Sequence, residues 1–308
     1  VRSDPVFDVP PLAPGALAGR TVVITGASDG IGRALAERCA IADAHVVLIG
    51  RNEAKTRHVA SELRSRTGND RISYQIADLL YLDEQVALAE RLRAAHPVLH
   101  ALVNNAGALF LERQLTRDSL ERTFALNHLA TVQLGVRLLP SLLAAAGPDG
   151  PARMINVASR AHMGARIQLD DLQMQRGYSG WRAYAASKLG NVLFTRALAR
   201  RVDARGVCVH AVHPGLVASR FATNNGPLGR LQRRVMDWFS ISNQAGADTA
   251  AWLLGSDLGG RDSGGYWVRR ARVTPSREAQ RDDLADGLWT RSLALAGISE
   301  PIAGCRRA

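Results

Sequence analysis

The stretch that most constrains the fold is residues 21–40. Thr21-Val22-Val23-Ile24-Thr25 is a short β-branched run, Gly26-Ala27-Ser28-Asp29-Gly30-Ile31-Gly32 follows at once, and Leu35, Ala36, Cys39 and Ala40 then recur at helical spacing. This is a strand, a glycine turn and a helix. Glycines let the backbone turn sharply and approach a pyrophosphate, whose charge the amides at a helix N-terminus stabilise. A plain tight turn would use the same residues. The spacing G-x-x-x-G-x-G and its position between strand and helix favour a nucleotide site.

The alternation continues. Strands are predicted at 45–50, 71–77, 99–103, 153–157, 207–212 and 264–268, and helices at 53–66, 82–95, from about Thr116, at 181–202, 244–256 and 278–296. Such a sequence predicts an α/β fold: a Rossmann-type doubly wound parallel sheet of about seven strands with helices on both faces. One domain is expected over 20–300, after a proline- and glycine-rich arm at 1–19 laid over the surface. Within it, residues 216–240 place Leu228, Leu231, Val235 and Trp238 at helical spacing with Arg230, Arg233 and Arg234 opposite. This amphipathic flap reads as a substrate lid, a partner surface, a membrane-touching helix or a plainly packed helix.

Composition narrows the function classes. The chain has 308 residues, 46% of them hydrophobic, and so can bury a sizeable core. A formal charge of +11 invites a nucleic-acid reading, but the arginines are scattered among acids and read better as solvated surface, so no nucleic-acid partner is expected. Cys39, Cys208 and Cys305 are odd in number and far apart, which argues against a disulfide framework and against a metal site. No apolar run reaches the roughly 18 residues a membrane span needs, and residues 1–20 carry four prolines rather than a signal-peptide core. A soluble, cytoplasmic protein is expected, with a homo-oligomer left open.

Candidate site residues gather at predicted strand ends. An acid after the second strand would accept from the 2′-hydroxyl of NAD; the chain has Arg51 there, which suits the 2′-phosphate of NADP unless it is an ordinary surface arginine. Asp78-Leu79 end the third strand with a carboxylate that fits an adenine amino group or a helix cap. Asn104-Asn105-Ala106-Gly107 follow the fourth, and their small residues suit a backbone close to a cofactor. Asn127 falls in mid-helix, where a polar residue wants a reason. Ser159 ends the fifth strand, and Pro214-Gly215 break the sixth. In Tyr184-Ala185-Ala186-Ser187-Lys188 a phenol and an ammonium share one helix face, an arrangement suited to proton transfer to a carbonyl. Lysine occurs only at 55 and 188, against 37 arginines, so a compact point charge is kept at this position.

Taken in order, Thr25-Gly26-x-x-x-Gly30-Ile31-Gly32, Asn104-Asn105-Ala106-Gly107, Asn127, Ser159, Tyr184-x-x-x-Lys188 and Pro214-Gly215 resemble the short-chain dehydrogenase/reductase family over residues 20–300. Ser159-Arg160-Ala161-His162, the long gap to Tyr184, and the run Ser187 to Phe194 look like its retinol dehydrogenase and protochlorophyllide reductase branch. The resemblance implies that Tyr184 donates and accepts the proton, Ser159 binds the substrate oxygen, Lys188 holds the nicotinamide ribose and lowers the tyrosine pKa, and Asn127 holds a relay water. It implies a cofactor-binding set of Gly26, Ser28, Asp29, Gly30, Ile31, Arg51, Asn52, Asp78, Leu79, Asn105, Ala106, Gly107, Tyr184, Lys188, Pro214, Gly215 and Val217. A threonine common soon after Pro-Gly in the family is missing; the chain has Ser219. The expected work is NADP(H)-dependent interconversion of a small-molecule carbonyl and alcohol. The long Ser159–Tyr184 gap, the flap, and Met163, Trp181 and Phe221 favour reduction of a ketone on a bulky lipophilic or polycyclic substrate. A non-redox protein on the same fold is the alternative reading, and the intact Ser159, Tyr184 and Lys188 argue against it.

Overall fold

The computed structural model describes residues 12–215 and 242–299. The first part of the arm, the 216–240 flap with Val217, Ser219 and Phe221, and Cys305 lie outside the described residues.

Eight strands form one sheet in the order β3-β2-β1-β4-β5-β6-β7-β8. They are β1 (Thr21–Thr25), β2 (His45–Gly50), β3 (Ile72–Ile76), β4 (Ala101–Asn104), β5 (Ala152–Val157), β6 (Val207–His213), β7 (Tyr266–Val268) and β8 (Ala271–Arg272). All neighbouring pairs are parallel except β7 with β8. The order reverses at β1, which lies between β2 and β4, so a crevice opens at the carboxyl ends of β1 and β4.

Because side chains alternate across a strand, one run feeds two cores. Val22, Ile24, Val46 and Leu48 pack with α1 (Gly30–Ile41), α2 (Glu53–Thr67) and α8 (Asn243–Gly255) on one face. Val23, Val47 and Ile49 join the opposite core, which takes in α3 (Leu82–Ala95), α5 (Ala130–Arg137), α7 (Gly180–Ala199) and α10 (Asp282–Leu295). The remaining helices are short: α4 (Arg122–Phe124), α6 (Leu139–Leu143) and α9 (Leu258–Arg261). Among the described residues no helix is long and apolar enough to cross a membrane.

Three local expectations are corrected. Residues 12–19 do not merely lie on the surface: Leu17 is 1% exposed, inside the α1-side core, and its N–H donates to Ala42 O at 2.9 Å. No helix starts at Thr116. Its hydroxyl instead accepts from the backbone of Asp118 and Leu120, Ser119 takes a positive φ, and the helix begins at Arg122, capped by Glu121 onto the N–H groups of Thr123 and Phe124 at 2.8 and 2.7 Å. The sheet has an eighth, antiparallel strand because Arg269-Arg270 make a two-residue hairpin with φ of 51° and 60°. Such turns ordinarily call on Asn-Gly, so two arginines carry no turn signal. Tertiary contact holds this one: Arg270 grips the buried Asp248 of α8 with two bonds, at 2.7 and 2.6 Å, and Asp248 also takes Arg38 of α1 at 3.1 Å.

Candidate active site

The turn after β1 owes its shape to glycine and to Asn105. Gly26 and Gly30 have φ of 65° and 54°, and a Cβ on Gly32 would lie 2.4 Å from Gly26 O and 2.5 Å from Asn105 Nδ2. The Asn105 amide donates to Thr25 O at 2.8 Å, while Thr25 Oγ1 accepts the N–H groups of Asn105 and Ala106, each at 2.9 Å. The segments after β1 and β4 are thus pinned together, and Asn105 spends its side chain on the turn. Asp29 caps α1 through Gly30 N at 2.8 Å and pairs with Lys55 at 2.6 Å. Ser28 and Ile31 stand beside this cap, both partly buried.

At the end of β2, Asn52 caps α2 by accepting from Lys55 N at 2.9 Å. Arg51 is exposed and has no ion pair or hydrogen bond among the described residues. Asp78 is not a helix cap. Its carboxylate accepts from Leu80 N at 3.1 Å, Leu79 beside it is buried, and α3 begins after Tyr81 without a side-chain cap. These residues fit a dinucleotide: the first turn has room only for glycine, a helix N-terminus faces the crevice, and an unpaired guanidinium stands at the end of β2.

Ser159, Tyr184 and Lys188 come together across 25 and more residues of sequence. Ser159 sits just past β5, and its hydroxyl is hydrogen-bonded to the Tyr184 phenol. One turn along α7, the Lys188 ammonium donates to Val157 O at 2.9 Å and lies 5.8 Å from the centre of the Tyr184 ring. Burial pushes the Tyr184 phenol up to about 12, opposed by the Ser159 hydrogen bond, and pulls the Lys188 ammonium down to about 8. In the chain alone desolvation is the largest influence on the phenol, and the Lys188 ammonium is directed at the Val157 carbonyl.

Asn127 has its reason. It lies in a π-helical turn, Ala125–Leu129, whose extra residue turns the side chain inward. There Oδ1 accepts from Ala108 N at 2.8 Å, and Nδ2 donates to Ala108 O at 2.9 Å and to Ser187 Oγ at 3.0 Å. A Cβ on Gly107 would meet Asn127 Oδ1 at 3.2 Å and Lys188 Nζ at 3.3 Å, so both groups reach the space over Gly107. The Asn127 side chain thus positions the 107–108 backbone.

Four supports escaped the sequence reading: Thr25, Ser187 and two histidines. His162 is fully buried; Nδ1 lies 2.6 Å from Ser159 O and Nε2 accepts from Ser276 N at 3.2 Å, which fixes the tautomer and ties the Ser159 turn to the loop after β8. His213 Nδ1 accepts from Arg160 N at 3.3 Å and Gly215 N at 3.4 Å, and burial pulls its pKa down to about 4. Pro214 and Gly215 continue directly from this histidine, with Gly215 at a φ of 92°. Ser159-Arg160-Ala161-His162 already places a histidine next to the serine, but only the partner 114 residues away reveals its work.

Among the described residues no group of three or more His, Cys, Asp and Glu side chains could hold a metal. Many arginines are paired with acids, among them Arg33 with Glu62, Arg66 with Glu37, and Arg200 with Asp282 and Asp286.

The profile of the family described as short chain dehydrogenase matches residues 20–227. Retinol dehydrogenase 12 of Mus musculus is 38% identical over 280 residues, which cover 91% of this chain and 87% of that protein. Polyprenol dehydrogenase of Homo sapiens is 31% identical over 287 residues, covering 91% and 86%. Among solved structures, an uncharacterized protein of Mycobacterium paratuberculosis superposes with a TM-score of 0.75 at 30% identity, over 94% of this chain and 97% of that one. The NADP active-site complex of Pseudomonas aeruginosa RhlG gives 0.65 at 26% identity, over 83% and 96%. The fold, the order of the matched segments and these relatives agree: the chain belongs to the short-chain dehydrogenase/reductase family of oxidoreductases, in its retinol dehydrogenase-like branch.

Proposed function

We propose that this oxidoreductase uses NADP(H) to interconvert a carbonyl and an alcohol, chiefly reducing a ketone on a bulky lipophilic substrate. The observation that carries the reading is the convergence of Ser159, Tyr184 and Lys188 at the carboxyl edge of β5. A substrate carbonyl oxygen accepts hydrogen bonds from the Ser159 and Tyr184 hydroxyls, which polarise it. NADPH, when bound, supplies the hydride that the carbonyl carbon takes up. The oxygen takes the Tyr184 proton, and the phenolate left behind is stabilised by the buried ammonium of Lys188 until solvent returns the proton. Reduction is the working direction favoured where NADPH supplies the hydride.

Gly26, Ser28, Gly30 and Ile31 would hold the pyrophosphate, with Asp29 and Asn52 fixing the helix starts beside it. Arg51 would pair with the 2′-phosphate. Asp78 and Leu79 would flank the adenine, and Lys188 the nicotinamide ribose, with the 105–107 and 214–215 backbones alongside. Solved relatives include NADP and NADPH complexes, which supports this choice. The names of the retinol and polyprenol dehydrogenases support a lipophilic substrate, as do Met163 and Trp181, exposed next to Ser159 and Tyr184. We place the catalytic unit in a single domain over 20–300, with 216–240 as its substrate flap. The buried free thiols Cys39 and Cys208 suit a reducing compartment such as the cytoplasm.

The test is NADPH consumption over small and multi-ring ketones. Multi-ring ketones are expected to have the higher kcat/KM, and Tyr184→Phe is expected to lose about 1000-fold in kcat while binding NADPH nearly as before. Appreciable turnover by Tyr184→Phe would refute the proton assignment, and a preference for small ketones the substrate class.

A further inference from the structure

On a face of α7 turned away from Tyr184 and Lys188 lies a cavity of about 250 Å³. Ala183, Ala186 and Gly190 form its floor, and Phe124, Leu172 and Leu288 its walls. Apart from the exposed Gln168, the uncharged and acidic polar groups that reach it are already engaged. Glu121 accepts from Thr123 N, Phe124 N and the Tyr178 hydroxyl at 2.8, 2.7 and 3.1 Å. His128 Nε2 lies 2.9 Å from Ser292 Oγ, and the Ser187 hydroxyl donates to Tyr184 O at 2.7 Å while accepting from Asn127. Asp171 accepts from Gln175 N at 2.7 Å and Arg176 N at 3.2 Å. A water needs two to four polar partners, so this interior offers it little and favours an apolar occupant.

The mouth is different. Arg166 has no hydrogen bond or ion pair among the described residues, and Arg182 has only Gly177 O at 3.3 Å. Arg176, the third guanidinium of the lining, is engaged by Asp170 at 2.8 Å and Asp171 at 3.3 Å, which leaves Arg166 and Arg182 as the cations available at the mouth. His128 adds none at neutral pH, since burial pulls it down to about 4. Met174 on the rim keeps a φ of 46°, a strained conformation of the kind found at ligand clamps.

We propose that this cavity is a second, non-catalytic binding site for a medium-chain aliphatic carboxylate, its chain on the α7 floor and its head paired with Arg166 and Arg182. At about 30 Å³ for each water-sized group the space takes roughly eight such groups, the scale of octanoate or decanoate. The site meets the catalytic helix through Ala183, Ala186 and Ser187, and Ser187 bonds to both Tyr184 O and Asn127. An occupant therefore stiffens the turn that carries Tyr184.

Isothermal titration of decanoate into NADPH-saturated protein tests the proposal, with methyl decanoate as the uncharged control. One saturable site is expected, weakened about tenfold or more by Arg166→Glu and by removal of the charge, abolished by Ala186→Phe, and retained in Tyr184→Phe. Arg166 is exposed, so Arg166→Glu keeps the test sound should Ala186→Phe fail to fold. No saturation at millimolar decanoate, equal affinity for acid and ester, wild-type affinity in Arg166→Glu, or displacement of decanoate by a ketone substrate would each overturn it. Binding is read directly, so a wrong catalytic assignment would leave the result standing.

Discussion

Lowering the pH from 7 to 5 should destabilise this protein strongly, and three buried histidines set the size of the effect. His128, His210 and His213 are 1%, 0% and 7% exposed, and burial pulls each from 6.5 to about 4. Geometry reinforces burial at two of them. His210 Nδ1 accepts from Trp267 Nε1 at 3.0 Å while Nε2 faces Gly259 O at 3.1 Å, and His213 Nδ1 accepts two backbone N–H groups. Protonating either acceptor sets two donors against each other. The folded-state pKa is depressed, so between about 6.5 and 4 the unfolded chain binds more protons and stability falls as pH falls. Between pH 7 and 5 each shift is worth on the order of 2 kcal/mol, and the three together, about 5–6 kcal/mol, reach the lower end of the ~5–15 kcal/mol that holds a typical domain folded. Around pH 5.2 the slope should be about 3–4 kcal/mol per pH unit. Urea unfolding at pH 7.5, 6.5, 5.8 and 5.2 measures it, and His210→Gln should remove about a third of the slope. An unfolding free energy that stays level from pH 7 to 5 would refute the reasoning, as would an undiminished slope in His210→Gln.

Other consequences are equally direct. Arg51→Ala should raise the Kd for NADPH about tenfold or more and leave NADH unchanged; equal weakening of both by fluorescence titration would remove Arg51 from the 2′-phosphate. Gly32→Ala drives a methyl group into Gly26 O and Asn105, so NADPH binding should fall at least about tenfold, and a Kd within about threefold of wild type would contradict the packing of that turn. Asp248→Asn leaves Arg38 and Arg270 facing an uncharged amide and should cost about 3 kcal/mol in urea unfolding, whereas a loss under about 1 kcal/mol would mean the ion pairs are immaterial.

Much of the architecture was legible because β1, β2, β5 and β6 are buried on both faces, and such strands read as unbroken apolar runs. The glycine turn was legible for a related reason, since only glycine tolerates the positive φ and the close approach at Gly26 and Gly32. What stayed hidden depends on partners distant in sequence. Arg269-Arg270 turn because Asp248 holds Arg270, and His162 matters through Ser276. Asn127 looked anomalous in mid-helix because the helix is not α there. The four-residue spacing of Tyr184 and Lys188 does not report desolvation, the largest influence on the phenol in the chain alone, nor that the ammonium is bonded to the Val157 carbonyl.

The π turn at Ala125–Leu129 also bears on how segments of this protein can be exchanged. It carries one residue more than the α-helical path it replaces, so chain length sets which way Asn127 points. A donor segment one residue shorter would rotate everything on one side of it by about 100°. Asn127 would then leave Ala108 and Ser187 even if every residue type were kept. Grafting a helix onto this position, or shuffling it with that of a relative, calls for counting residues across 122–137 before comparing their identities.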